Sequence, residues 1–403
     1  MKVVVVGGGA AGFFTAIQIK EMHPDLEVMI LEKSKKLLSK VKVSGGGRCN
    51  VTNACETIDE LASAYPRGGR HLRKLFGRFN NHHMMEWLES KGVECEVYPD
   101  NCVFPKVNDS QIIIDLFLKE CSRLGIRIQT ETGVVSFTSN ESGYSLKLLN
   151  GGEIQTKYLV FALGGQPKES GLQWLKDLGY QIESPVPSLF TFNMPQEKTA
   201  DLMGIVVENA IAKIEGEKLE GRGPLLFTHW GMSGPAILML SAWGARILNE
   251  KNYEFKVRIN WLDGEGEAYV RSQIQQKQAI DPKKSIKNQN PFQLPNRLWE
   301  FLLKKLEINP ENKWAEIGSK SINKLINALT NDTYQVKGKT TFKEEFVTCG
   351  GVSLSNLNMK TMESKLHPGV FFIGEMIDID GITGGYNFQA CWTEAWTVAN
   401  SIG

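Results

Sequence analysis

Lys2-Val3-Val4-Val5-Val6-Gly7-Gly8-Gly9-Ala10-Ala11-Gly12 decides the fold. The apolar run reads as a buried strand, and the glycines after it stand in the G-x-G-x-x-G spacing. Gly7 allows a tight strand-to-helix turn. Gly9 lets backbone approach a pyrophosphate, and Gly12 lets the following helix pack on the strand. Phe13, Phe14, Ile17 and Ile19 make that helix apolar. Its first N–H groups, from Ala10 and Ala11 onward, point a positive dipole end at phosphates.

Working outward, Val28-Met29-Ile30-Leu31 forms a second apolar run and delivers Glu32, with Lys33 after it. An acid at this distance is placed to accept from ribose hydroxyls, which favours a dinucleotide without a 2′-phosphate. Gly45-Gly46-Gly47-Arg48 and Asn50 read as a further phosphate-facing loop, since successive glycine N–H groups can form an anion nest. Tyr158 to Ala162 is a buried strand ending at Gly164-Gly165. Ala162 and Gly164 are expected to offer backbone to the ligand. Val134 and Val135 are core strand residues whose backbone can pair with an adenine edge. Near the other end, Gly374-Glu375-Met376-Ile377-Asp378 and Gly384-Gly385-Tyr386-Asn387-Phe388-Gln389-Ala390 prepare a second grip. These segments resemble a terminal flavin motif, in which Asp378 would reach the ribityl chain or the pyrophosphate edge. Backbone from Gly385 through Asn387, Phe388 and Gln389 would face the flavin at a helix start, where the dipole stabilises negative charge. The two-ended grip points to FAD.

Composition bounds the rest. The chain has 403 residues, 42% hydrophobic, and a net charge of +1. Two or three domains fit that length. The charge gives no support for a polyanion partner, no basic-aromatic stripe is evident, and no apolar run is long enough to span a membrane. Seven scattered cysteines without C-x-x-C suit a reducing cytoplasm. The N-terminus leads straight into a strand, without room for a signal peptide. His82-His83 lacks companion acids at ligand spacing, so no metal is expected.

The predicted architecture is α/β: a Rossmann-like FAD-binding domain with an inserted β-barrel and a small helical subdomain. Residues 1–187 form the first part of the FAD domain, with helices near 10–21, 70–91 and 109–124. Residues 188–262 form the barrel, from short β-type runs. Residues 263–332 form a polar helical insertion, loosely joined near 281–295. Residues 333–347 return to the barrel, and 348–403 complete the FAD domain.

Ser44-Gly45-Gly46-Gly47-Arg48-Cys49-Asn50-Val51-Thr52-Asn53, Thr228-His229-Trp230-Gly231-Met232-Ser233-Gly234-Pro235 and Thr361-Met362-Glu363-Ser364-Lys365, with the ending quoted above, resemble the YhiN/BaiN-type flavoproteins. The resemblance spans nearly the whole chain. It implies an FAD fold of the glutathione-reductase superfamily (GR2-type) and an FAD-dependent oxidoreductase. In one branch of that family the chemistry is reduction of a carbon–carbon double bond conjugated to a ketone. Two positions depart from the family pattern: Leu163 stands where a threonine is usual, and Asp100-Asn101-Cys102 where Gly-Arg precedes Phe104-Pro105.

The reaction expected is hydride transfer at a C–C bond conjugated to a carbonyl of a small-molecule substrate. No second strand-coupled glycine fingerprint occurs, so NAD(P)H would dock transiently or another donor would serve. The alternative is a flavoprotein that mainly recognises RNA or a protein partner; the neutral charge argues against nucleic acid. A redox sensor built on Cys49 ranks behind both. No catalytic residue is assigned. His229 and Tyr386 are candidates for proton donation, and each has an equally simple packing role; His229 reads as part of a buried corner. The oligomeric state is left open.

Overall fold

The computed structural model describes residues 1–341 and 347–403, so the expected return of the barrel through 342–346 lies outside the described residues. The described chain forms two compact units, divided after Ser188. The first unit takes residues up to Ser188 together with the chain from Val347 on.

Its main sheet has seven strands in the order Leu357–Asn358, Glu363–Ser364, Val370–Phe372, Tyr158–Phe161, Lys2–Val6, Glu27–Leu31 and Arg127–Gln129. The last five are parallel and the first two antiparallel. Buried parallel strands need apolar residues on both faces, and Val3, Val4, Val5, Ile30, Leu159 and Val160 are fully or almost fully buried. Helix Ala10–Met22 lies against helix Tyr386–Ala399, with Phe14 and Trp392 edge to face at 5.3 Å. The Trp392 indole N–H donates to Val51 O at 2.8 Å.

Three features refine the sequence reading here. The strands between residues 134 and 156 do not join the main sheet. Val134–Asn140, Gly143–Leu148 and Glu153–Thr156 form their own antiparallel sheet. The helix expected over 70–91 is two helices, Gly69–Phe76 and Asn81–Ser90. Asn80 restarts the second: its Oδ1 accepts from the N–H groups of His82 and His83, and His83 Nδ1 accepts from Asn80 N–H. That capping box ends one helix and begins another. Thirdly, Thr348–Val352 pairs with Ile182–Pro187 as a separate ribbon.

The second unit, from Leu189, holds a seven-stranded antiparallel sheet in the order Asp332–Lys337, Glu254–Asn260, Val206–Ile214, Glu220–Phe227, Gly231–Ser233, Thr191–Asn193, Lys339–Thr340. The two outer strands are consecutive in the chain and joined at Gly338, so the sheet rolls round to meet itself. Helices Pro235–Trp243 and Ala245–Glu250 were not anticipated in this β-rich stretch. Gly221 admits the first of them, since a methyl there would lie 2.0 Å from Ala236 O. Helices Glu267–Ile280, Asn296–Lys305 and Ser319–Thr330 share one core with the sheet: Ile274, Leu298, Leu302 and Leu325 join Val257, Ile259 and Phe227. Nor is the 281–295 connection loose. Ile286 is fully buried, and its carbonyl accepts from the Trp299 indole at 2.8 Å.

Candidate cofactor site

Sheet register gathers the expected residues. Val6 pairs with Leu31 on one side and Phe161 on the other, and Phe161 pairs with Phe372. The segments that follow these four strand ends therefore leave the sheet at one carboxyl edge. That edge is where open α/β sheets bind ligands.

Within the first turn the glycines divide by what a side chain would meet. A methyl on Gly7 would lie 2.1 Å from Ala162 O, and one on Gly12 would lie 2.0 Å from Gly7 O. Those two glycines are demanded by packing. A methyl on Gly9 meets nothing within 4 Å, and Gly9 has an ordinary φ of −97°. The protein alone would accept a side chain at Gly9; a pyrophosphate would not. Helix Ala10–Met22 starts there, and Phe13 N–H donates to Gly9 O. The N–H groups of Ala10, Ala11 and Gly12 are the ones a helix leaves without internal partners.

Glu32 is half-buried and accepts from the N–H groups of Gly8 and Ser34, each at 2.8 Å. Each carboxylate oxygen has a further lone pair for a hydroxyl donor. Lys33 is exposed, and a methyl on Gly133 would lie 3.6 Å from its Cβ. This brings 133–135 beside the acid. Val134 pairs with Leu148, but Val135 falls at a register shift and is 41% exposed, so its backbone stands outside the ladder.

Gly164 has a φ of +72° and open space around its missing side chain. A methyl on Gly165 would lie 2.4 Å from both Glu375 Oε1 and Thr348 Oγ1. Glu375 accepts from Thr348 N–H at 2.9 Å and pairs with Lys40. The Thr348 hydroxyl is buried with no hydrogen-bond partner among the described residues. Sequence reading missed this pair; the signal for Glu375 was its place in the quoted Gly374–Asp378 stretch. Asp378 is half-buried, its N–H bonded to Val352 O. Two residues on, Asp380 is buried and paired with Arg67, with Ser188 Oγ donating at 2.8 Å. Burial raises the Asp380 carboxyl and Arg67 opposes the rise.

Gly45, Gly46 and Gly47 have successive φ values of +57°, +69° and +86°. Only glycine sustains such a left-handed turn cheaply, and Gly46 faces open space. Arg48 folds back on this loop. Its Nε donates to Gly45 O at 3.1 Å, and its guanidinium lies over the Phe104 ring at 4.2 Å. It braces the turn. Asn50 Oδ1 accepts from Val103 N–H.

The C-terminal turn is stapled by side chains. Asn387 accepts from Gly381 N–H and donates to Gly381 O, both at 2.9 Å. Asn53 donates to Gly384 O, and the Tyr65 hydroxyl to Tyr386 O. Gly385 has a φ of +89°, and a methyl there would lie 2.3 Å from Thr52 O. Tyr386, Asn387 and Phe388 supply the first-turn N–H groups. Gln389 does not: its N–H donates to Gly385 O, and its fully buried amide bonds Thr52 and Thr393. It supports the turn from behind. Glu394 is fully buried below, one oxygen accepting from Gly374 N–H at 2.6 Å and the other without a partner among the described residues. Burial pushes its carboxyl up to about 8. No sequence pattern marked it.

Cys49 is buried, and burial pushes its thiol up to about 12. That removes the basis for the redox-sensor reading, because a reactive cysteine needs an accessible thiolate. The Tyr386 hydroxyl lies 3.6 Å from Cys55 Sγ, and burial raises it. In the second unit His229 and Trp230 are exposed, not a buried corner, with Trp230 at 54%. Ser233 is buried and accepts from the Thr191 hydroxyl. A cleft of about 770 Å³ in that unit holds none of the expected residues, and its Arg271 is spent on Glu267 and Asn323. Among the described residues no three His, Cys, Asp or Glu side chains are grouped to hold a metal.

An extended dinucleotide fits this edge. Open backbone at Gly9, Gly46 and Gly164, the Thr348 hydroxyl and two helix starts all lie along it. The model of the HI0933-like protein Rossmann domain matches residues 1–401. The chain belongs to that family. It is 30% identical to a ribosomal RNA dihydrouridine synthase of Escherichia coli K12, over 99% of this chain and 97% of the relative. It is 25% identical to a 3-dehydro-bile acid delta(4,6)-reductase of Clostridium scindens, over 98% and 97%. Among solved structures, a 3-ketosteroid-delta4-(5alpha)-dehydrogenase from Rhodococcus jostii RHA1 aligns with a TM-score of 0.51 at 12% identity, covering 98% of this chain and 96% of that one. The FrdA chain of E. coli quinol fumarate reductase aligns at 0.50 and 13%, covering 100% and 70%. The chain is an FAD-dependent oxidoreductase. No helix among its described residues is long and apolar enough to cross a membrane.

Proposed function

We propose that this enzyme saturates a carbon–carbon double bond conjugated to a carbonyl, and that the bond is C5=C6 of uracil in ribosomal RNA. The observation that carries the reading is the full-length relationship to two proteins whose names describe such saturations on unlike molecules. In uracil the bond is conjugated to the C4 carbonyl; in a 3-dehydro bile acid it is conjugated to the 3-oxo group. What the two share is the chemistry. RNA is favoured over a steroid-like substrate because the synthase relative has the higher identity over a comparable span. The near-neutral charge that argued against nucleic acid describes the average over the chain, not its distribution.

Bound FAD, once reduced, supplies the hydride. The chain's residues do the rest. The first-turn N–H groups of Tyr386, Asn387 and Phe388 would favour negative charge at the ring edge. The turns around Gly9 and Gly46 would hold the phosphates, and Glu32 the ribose. Tyr386 keeps its proton at neutral pH and is a candidate for donating one to the carbon that does not receive hydride. A reduced nicotinamide would reload the flavin by transient docking, since no second glycine fingerprint follows a strand.

The test is anaerobic. Protein carrying FAD is mixed with NADH or NADPH while the flavin absorbance is followed. Unmodified ribosomal RNA transcript is then added and digested for mass analysis. Bleaching by a nicotinamide, followed by uridines heavier by one hydrogen molecule, is expected. Re-oxidation by a conjugated steroid ketone with no change in the RNA would move the substrate to the small-molecule reading.

A further inference from the structure

The helix Gly69–Phe76 divides its residues sharply between two faces. Leu72, Leu75 and Phe76 are buried, whereas Arg70, Arg73 and Lys74 are exposed at positions i, i+3 and i+4. Residues at that spacing share one side of a helix. Exposed Arg78 follows just beyond, donating to Lys360 O at 3.2 Å. From Leu61 to Met85 the sequence carries Arg67, Arg70, Arg73, Lys74 and Arg78, and no Asp or Glu. A net charge of +1 for the whole chain hides this concentration.

We infer that this cationic helix face is a docking surface for the phosphate backbone of the RNA substrate; the inference rests on the reading given under Proposed function. The face is tied to the cofactor edge. Arg67, one turn before it, is held by Asp380, and Gly68 packs so closely on Ile379 that a methyl would lie 2.4 Å from its Cγ1. Residues 379–382 lead into the Gly384–Phe388 turn, where the flavin ring would lie. A helix advances about 1.5 Å per residue, so Arg70 to Lys74 spans only about 6 Å. Phosphates seated there would hold a strand beside the reacting ring without reading its sequence, as backbone contacts do. Arg73 already pairs with Asp59, but both are largely exposed, and such a pair yields readily to a phosphate. Among the described residues, no carboxylate lies within ion-pair distance of Arg70 or Lys74.

The experiment uses the full chain with FAD bound. Its affinity for in vitro transcribed ribosomal RNA is measured across a KCl series for the wild type, for Arg70→Glu/Lys74→Glu, and for Arg70→Gln/Lys74→Gln. The glutamine pair guards against misfolding of the reversed pair; flavin absorbance and melting temperature report folding for each. Binding weakened at least about tenfold in a folded double variant is expected. Its log K against log[KCl] slope should be shallower by about one to two, since each phosphate contact contributes about 0.7 to 0.9. Wild-type affinity and slope in a folded double variant would overturn the docking surface and leave the RNA reading standing. If the wild type itself shows no salt-dependent binding to RNA, docking surface and RNA substrate fall together. Nicotinamide bleaching of the flavin would still stand as a separate result.

Discussion

The Gly7–Gly12 turn and the Gly381–Phe388 turn would meet the same ligand, yet they are built in opposite ways. The first is shaped by absent side chains: two glycines let backbone touch backbone, and Gly9 leaves a space. The second is shaped by side chains that are present. Asn387, Asn53 and Tyr65 each bond a main-chain group of the turn. A turn inside a βαβ unit is fixed by the strand and helix on either side. A turn that joins a loop to a terminal helix needs staples.

The largest expected effect tests the empty space. Gly9→Val should abolish FAD binding while leaving the apo fold near its wild-type stability. The loss of linkage is about 4 kcal/mol at a thousandfold excess of ligand over Kd. Absorbance and melting temperature with and without added FAD check it; yellow colour retained in the variant would break the comparison. Gly12→Ala should do the reverse and destabilise the apo protein by about 3 kcal/mol, because its methyl would strike Gly7 O. Urea unfolding of the apo form measures that. Asn387→Ala should cost about 1–3 kcal/mol, since it strips Gly381 of two partners. FAD affinity should fall as well, because a loosened turn no longer presents the Tyr386, Asn387 and Phe388 N–H groups; unchanged affinity would show that the staple serves the fold alone.

The last test is one of pH. The Glu394 carboxyl is raised by burial from 4.5 to about 8. The folded state therefore holds a proton that the unfolded state releases. The contribution is fully present below the ordinary glutamate value, declines as pH rises, and is gone above about 8. Glu394→Gln, which can still accept from Gly374 N–H, should flatten that decline. Parallel wild-type and variant curves of melting temperature against pH would show that Glu394 is ionised in the fold.

The first turn was legible in the sequence because its glycines, its strand and Glu32 are local to one βαβ unit. The second was recognised from its residues, but their roles were not. Gln389 was expected at the ligand and serves the core, through a partner, Thr52, far away in the chain; Asn387 staples backbone only six residues before it, at Gly381. Glu394 and Thr348 gave no signal, since a buried unpartnered oxygen has no pattern in sequence. The cationic helix was missed for another reason: the charge was summed over the chain before it was resolved along a helix face. In the second unit, the helices after Pro235 were hidden because the room that Gly221 leaves for Ala236 is a contact between separate elements.

Trp392, on the final helix, is bonded to Val51 and packed on Phe14. A ribosome makes Phe14 several hundred residues before Trp392. Until then Phe14 has Phe79, Trp87 and Phe117 beside it but lacks Trp392, and the edge that would receive the flavin lacks one of its two helix starts. Cofactor capture is therefore an event of the finished chain. A nascent protein stalled in the second unit would emerge colourless, and its first helix would be a natural target for chaperones.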